Sequence, residues 1–346
     1  MNNRNKISYL LGAGASAKTV PVVAQFPVKM REISREMLDF INKYPEKKDN
    51  DQLKKLRSDL DILAEKSEEF TSLDTYANYL YKNEIKEEIS FNRLKIVTSL
   101  FLIIIQAKYG VDSRVNHFLT KTIRRQDPRP AYLNGIFNII TWNYDIQIAL
   151  ALKDHYFSNS SLLDLLNVLN SYPCSGNSRI GDEGIINVLH LNGICGLVTE
   201  YTNTSKFFQL FSNIHGKKMD EVYEYISQII HDQSLLNTNF LNYFTFNWEF
   251  RPQYTEYLNK AVDILSNSET IVVIGYSFPE DNWNTFDEKW LSKFKDNGKK
   301  LVIQDVQPSE DLIEYFSNSD IELKIKKDVN RYFIHDEILH LHKEII

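Results

Sequence analysis

Five short apolar runs, at residues 7–11, 137–141, 188–191, 271–274 and 301–303, each end in small, polar or charged residues. Stretches of this length, rich in β-branched and aliphatic side chains and bounded by polar or glycine-rich turns, fit strands covered on both faces. The sequence between them repeats its apolar positions at helical spacing, the grammar of an α/β fold built on a parallel sheet. After Asp305, the residues Ile321, Leu323 and Ile325 alternate with Glu322 and Lys324, as in a strand with one exposed face.

The gaps between the strands are unequal. A simple strand–helix–strand unit takes ~30 residues, so the interval from Gly12 to the second strand must hold an additional module. Leu53, Leu56, Leu60 and Leu63 recur at three- and four-residue steps, and Ser72 is placed to cap a helix carrying Leu73, Tyr76, Tyr79 and Leu80. A third helix is expected over 92–108, ahead of Gly110. Further on, Met219, Val222, Tyr223, Ile226, Ile229 and Ile230 share one helical face. The expectation is one domain over residues 1–346 with a three-layer Rossmann-like fold, a central parallel sheet, a helical insertion at 28–130 and a second insertion or cap at 197–262. The charged stretch 45–50 and the loop 172–184, which holds Pro173, Gly176, Gly181 and Gly184, read as insertion edges.

Composition narrows the function classes. With 43% apolar and 25% charged residues the chain has ordinary globular usage. No stretch reaches the ~18 uninterrupted apolar residues that cross a bilayer, and the greasiest run, 96–105, contains Thr98 and Ser99 and reads as a buried helix. A net charge of −6 argues against a nucleic-acid partner, because duplex binding calls for a basic excess. The polar opening MNNRNKISYLLGAG lacks the apolar core and cleavage site of a secretory signal, and two cysteines, Cys174 and Cys195, build no disulfide framework. The expected compartment is the cytoplasm, away from any membrane.

The chemistry-bearing residues gather at strand ends. The first strand runs into Gly12-Ala13-Gly14-Ala15-Ser16-Ala17, a small-residue turn of the kind whose backbone N–H groups approach a pyrophosphate. The dehydrogenase arrangement would continue with a second strand ending in Asp or Glu about 20 residues later. Here Met30, Ile33, Met37, Leu38 and Ile41 follow instead, at helical spacing. The second strand ends in Thr141-Trp142-Asn143-Tyr144-Asp145, an amide and a carboxylate two residues apart. The third ends in Leu189-His190-Leu191-Asn192-Gly193, the fourth in a second small turn, Gly275-Tyr276-Ser277-Phe278-Pro279, and the fifth in Gln304-Asp305. In parallel sheets ligands bind at these C-terminal strand ends. If the chain at Trp142 stays extended, its side chain faces away from that of Asn143. Trp248, Trp283 and Trp290 read as packing anchors, the question staying open for Trp283, and His335, His340 and His342 lack the spacing of a metal site.

Taken in order, GAGAS, TWNYD, LHLNG, IGYSFPEDN and LVIQD resemble the sirtuin-like fold, and within it a bacterial branch that consumes NAD in antiphage defence. The resemblance spans residues 7–308, with both helical insertions outside its motifs. It implies that NAD is the substrate, cleaved to nicotinamide and ADP-ribose, and that Gly12, Ala13, Gly14, Ala15 and Ser16 hold its phosphates. It implies Asn143 at the nicotinamide ribose or an attacking water, Asp145 at the nicotinamide carboxamide and His190 as general base. Gly275 and Ser277 would meet the adenosine ribose and phosphate, with Gln304 and Asp305 near the adenine ribose; Gln304 stands where relatives often carry Asn.

The chemistry is consistent with that assignment. Nicotinamide leaves as a neutral base from a cationic glycoside, so the site must hold water and stabilise an oxocarbenium-like sugar. Protein deacylases of the family carry a zinc ribbon of two Cys-x-x-Cys pairs, and two cysteines 21 residues apart cannot supply four ligands. No metal is therefore expected, and NAD hydrolysis is favoured over deacylation. The family's defence members are held inactive, which implies a homo-oligomer and a sensor or motor ATPase partner. A deacylase, an ADP-ribosyltransferase or a non-enzymatic NAD or ADP-ribose sensor are the rival readings.

Overall fold

The computed structural model describes residues 7–47, 50–83, 88–122, 137–155, 158–173, 186–196, 198–200, 203–204, 214–233, 241–242, 244–249, 252–294, 299–317, 319, 321–336 and 338. Its main sheet is built from β1 (Ile7–Leu11), β2 (Phe137–Thr141), β3 (Ser171–Tyr172), β4 (Asn187–His190), β8 (Thr270–Ile274), β9 (Lys300–Gln304) and β10 (Glu322–Lys326), with β5 (Val198–Glu200), β6 (Asn203–Thr204) and β7 (Leu241–Asn242) in a second, small sheet. The order across the main sheet is β10-β9-β8-β1-β2-β4-β3, and its pairings are parallel. The fold is therefore Rossmann-like, and β1 is its switch point: chain that leaves β1 builds one half of the sheet through β2, β4 and β3 and returns to build the other through β8, β9 and β10.

The apolar runs became strands because both sides of the sheet are covered. All five residues of β1, β2 and β8 are buried. Along β1 the period of two sends Leu10 into a core with Ile140, Leu189, Val273 and Trp290. Tyr9, facing the other way, packs edge-on against Phe118 and Phe137. Helices Pro252–Asn267 and Glu288–Phe294 supply the first layer; α5 (Ser113–Thr122), which carries Phe118 and packs on α6 (Gln147–His155), supplies the other. β10, with alternating exposure, closes one edge as its sequence predicts. The two-residue β3 was not anticipated; an element that short has no pattern to read.

By contact the chain forms two compact units. The first comprises 1–16, 111–193 and 249–346 and contains the parallel sheet. The second comprises 17–110 and 194–248. It holds α1 (Phe26–Lys43), α2 (Asn50–Glu69), α3 (Leu73–Asn83), α4 (Phe91–Tyr109), the helix Met219–Gln233 and the antiparallel strands β5 (Val198–Glu200), β6 (Asn203–Thr204) and β7 (Leu241–Asn242) in the order β6-β5-β7. α4 contains the greasy run and is buried on nearly every side, which is why it shows little amphipathic periodicity. Ser90 caps it by accepting the Arg93 N–H, and Gly110, at φ +71°, ends it. Ion pairs join its helices: Arg31 to Glu68, Asp59 to Arg93, and Lys108 to both Glu32 and Glu36.

Candidate functional site

The strand ends are level. Leu11 pairs with Thr141 on one side and Ile274 on the other, Thr141 with His190, and Ile274 with Gln304. One residue further along, the ladder still holds: Gly12 N–H donates to Ile274 O, Trp142 N–H to Leu11 O, Leu191 N–H to Thr141 O and Gly275 N–H to Gln304 O, at 2.8–3.1 Å. The motifs read separately in the sequence thus share one edge of one sheet.

On the β2 and β4 side of β1 the contacts are made by polar side chains. Ser16 Oγ donates to Asp145 Oδ2 at 2.6 Å, and Asn143 Nδ2 donates to Ser16 Oγ at 3.0 Å. Asp145 Oδ1 accepts the N–H of Gln147, the first residue of α6, so the carboxylate also stabilises that helix start. Burial raises the Asp145 carboxyl above the usual carboxylate range, against the hydrogen bonds from Ser16 and Gln147. Thr141 Oγ1 accepts the Asn143 N–H at 3.0 Å and fixes the turn. Trp142 points into the core, as its extended neighbours predict, lying parallel to Tyr276 with ring centroids 6.2 Å apart.

His190 is the last residue of β4 and is 3% exposed. Its Nδ1 lies 3.4 Å from Asn143 O. A carbonyl can only accept, so this contact puts the ring proton on Nδ1 and leaves the lone pair on Nε2. Burial pushes the imidazole down to about 4, the Asn143 carbonyl pulling weakly the other way. The ring is neutral near pH 7.

On the β8 and β9 side the contacts are mainly made by backbone. Gly14 N–H donates to Gly275 O and Ala15 N–H to Gly12 O. A Cβ on Gly12 would stand 2.6 Å from Tyr276 Cα, and one on Gly14 would stand 2.8 Å from Gly275 Cα. Gly275, at φ +58°, would bring a Cβ within 2.5 Å of Gly14 Cα. The two small-residue turns are one interlocked pair, which explains their glycines before any ligand is considered. It also changes the expectation for the turn: the amides of Gly12, Gly14 and Ala15 bond to the protein's own carbonyls, and Ala13–Ala15 forms a single 3₁₀ turn, the first long helix, α1, starting only at Phe26.

Ser277 is exposed, and Phe278, at φ +54°, turns its ring inward against Tyr276, Trp290 and Phe316. Trp283 packs edge-on to Phe278 and Tyr315, so it is a packing residue here. Gln304, expected beside the adenine ribose, directs its amide elsewhere. Its Nε2 donates to Asp328 O and Arg331 O, and its Oε1 accepts from Phe333 N–H. The Asp305 carboxylate accepts the N–H of Gln307.

Sequence reading missed several residues that hold this edge. Asn192 Nδ2 donates to Trp142 O at 3.2 Å; its place inside LHLNG was a usable signal. Asp112, Arg114, Gln147 and Tyr332 lie under or beside the glycine turn, but as isolated polar residues on helices and loops they are indistinguishable in sequence from solvated ones. Among the described residues no group of three or more His, Cys, Asp or Glu side chains could hold a metal, and no single helix is long and apolar enough to cross a membrane. Cys174, His340 and His342 lie outside the described residues; Cys195 is buried, its Sγ 3.4 Å from Gln106 Nε2.

No protein-family model matches the chain, and no curated protein matches it. Solved Sir2 structures align along nearly its whole length. Sir2Tm bound to a propionylated peptide is 14% identical over 98% of this chain and 92% of its own, with a TM-score of 0.37. A structure from work on the mechanism and regulation of Sir2 enzymes is 13% identical over 99% and 94%, with a TM-score of 0.41. Sir2 with a p53 peptide and NAD+ is 11% identical over 99% and 94%, with a TM-score of 0.37.

Proposed function

We propose that this chain is an NAD hydrolase, releasing nicotinamide and ADP-ribose. The observation that carries the reading is the junction of Ser16, Asn143, Asp145 and His190, which come from three strand ends and meet within single hydrogen bonds. In the proposed step the C1′–N bond breaks with its electron pair going to the nicotinamide nitrogen. A water oxygen bonds to C1′, and its proton passes to His190 Nε2.

A base at about 4 suits this chemistry. The positive charge of the nicotinamide ring passes to the sugar as the bond breaks, and an imidazolium beside it would raise the barrier, whereas a buried neutral ring does not. Water already bonding to an oxocarbenium is strongly acidic, so a weak base can take its proton. Asn143 and Asp145 both bond Ser16 Oγ and are suited to orient water and the nicotinamide amide. Asp145 Oδ2 accepts from Ser16 and Oδ1 from the Gln147 N–H, and a carboxylate has about four acceptor sites.

The reading includes control. An unrestrained NAD hydrolase would exhaust its own cell, so activity waits for a sensor or motor ATPase partner or for assembly of further copies of this chain, in the manner of the antiphage branch its motifs resemble. The test is incubation of the purified chain with NAD, alone and with lysate from phage-infected cells to supply the activator. Nicotinamide and ADP-ribose are expected together, with release lost in His190→Ala and Asn143→Ala. Turnover that requires an acyl-lysine peptide would assign a deacylase. NAD binding without either product, in the isolated chain and in lysate from phage-infected cells, would assign a sensor.

A further inference from the structure

We infer that Arg114 and Tyr332 form a clamp that orients the glycine turn for the dinucleotide, an inference that rests on the NAD reading above. The Arg114 side chain is 4% exposed and its partner Asp112 is fully buried. One guanidinium nitrogen donates to Ala15 O at 2.8 Å and the other reaches Gly14 O at 3.3 Å and Val329 O at 3.4 Å. Nε and Nη2 also bond the Asp112 carboxylate. Tyr332 Oη donates to the same Ala15 O, and its ring lies under the guanidinium, 5.6 Å from Cζ to centroid.

The clamp is itself held at both ends. Gln304 fixes the segment 328–333, which delivers Val329 O and Tyr332, by its three backbone hydrogen bonds. At the other end Asp112 N–H donates to Gln147 Oε1, Gln147 N–H to Asp145 Oδ1, and Asp145 accepts from Ser16. The circuit leaves the turn at Gly14 and Ala15 and re-enters it at Ser16. In a trans peptide the C=O and N–H point oppositely. Two donors drawing Ala15 O to one side therefore turn the Ser16 N–H to the other, away from the guanidinium. Because Asp112 neutralises Arg114, the pair works by orientation and contributes little net attraction for phosphate.

Arg114 and Tyr332 are positioning residues, and the test uses the full chain with ADP-ribose as the calorimetric probe. Tyr332→Phe removes one hydroxyl, and Arg114→Lys keeps the charge but loses the fork. Each is expected to weaken ADP-ribose binding roughly tenfold, the scale of one hydrogen bond involving a charged or strongly polarised group, a loss larger than any accompanying fall in melting temperature explains, with an unchanged slope of affinity against salt. Nicotinamide release would show a raised KM with kcat nearly preserved. Variants that bind ADP-ribose like wild type, or that lose affinity only in step with melting temperature, overturn the clamp. Should the wild-type chain bind neither ADP-ribose nor NAD, it is the NAD reading that fails.

Discussion

The two sides of β1 solve different problems with the same strand-end geometry. Toward β2 and β4, the residues just at or past the edge are Thr141, Asn143, Asp145 and His190, and their side chains make the contacts. Toward β8 and β9, the contacts are mostly backbone to backbone, between Gly12, Gly14 and Gly275, with Gln304 latching a distant segment. A side-chain face can lose a member and keep its shape. A backbone interlock cannot accept even one carbon. The first side is therefore where chemistry can be removed without unfolding, and the second is where the fold is set.

The largest expected effect is on the side-chain face. His190→Ala is expected to reduce nicotinamide release by roughly 10²–10⁴, the usual worth of a positioned general base, while circular dichroism stays that of the wild type. The same ring fixes the acid limb. On the proposed mechanism its neutral form is the base, and its value is lowered to about 4, so kcat/KM should hold as pH falls from 7 to 5 and decline only as pH approaches 4. A limb near 6.5 would mean that the working imidazole is not the buried one described here.

The converse applies across β1. Gly275→Ala adds a Cβ at φ +58° within 2.5 Å of the Gly14 backbone. Backbone strain and overpacking of that kind cost on the order of 2–4 kcal/mol, and thermal melting is expected to fall accordingly. If Gly275→Ala melts like the wild type, the interlock is not what holds the two turns.

The same contrast explains what the sequence made legible. The strands were readable because burial on both faces erases alternation and leaves short apolar runs, and their register made the runs end together. His190, Asn143 and Asp145 stood out because polar residues at the ends of such runs have little reason to be there unless they bond something. Glycines at 12, 14 and 275 were visible, but their cause was not: pattern suggests phosphate approach, and only the three-dimensional contact shows that Gly275 occupies the space. Gln304 carried no signal of its latch, because Asp328, Arg331 and Phe333 contribute backbone atoms, which every residue type possesses. Arg114 was hidden for a similar reason, its acceptors being carbonyls.

A third, intermediate effect concerns the aromatic layer behind the β8 side. Asp287 is fully buried in a π-turn, accepting from Tyr276 Oη at 2.8 Å and Trp290 Nε1 at 3.1 Å, with Asn282 Nδ2 donating to Tyr276 Oη. Burial pushes its carboxyl up to about 7, over the lowering influence of those two hydrogen bonds. A raised value means that the native state binds the proton more tightly than the unfolded chain. The contribution to stability is then fully present below the unfolded value of about 3.9 and is lost as pH rises through 7. The free energy of unfolding should therefore carry a component that declines from pH 4 to pH 7, on the order of a few kcal/mol in all, and the melting temperature should fall with it. Asp287→Asn should remove that component and flatten the profile, and an unaltered slope would show that the carboxyl is ionised throughout.

The smallest effect gives the sharpest form of the comparison, because it uses two positions paired to the same residue. Thr141 and Ile274 both face Leu11 in the register, one on each side of β1, and both are buried. Thr141→Val keeps the shape but removes the acceptor for the Asn143 N–H, at a cost of about 1 kcal/mol. Ile274→Val removes one methylene, at a cost of about 1 kcal/mol as well. The two variants should melt alike. Activity should fall several-fold only in Thr141→Val, because only there does a side chain hold the turn that carries Asn143 beside Ser16. Equal activity in the two would mean that Asn143 is positioned by the strand ladder alone, and that the division of labour between the two sides of β1 lies one residue further from the sheet than drawn here.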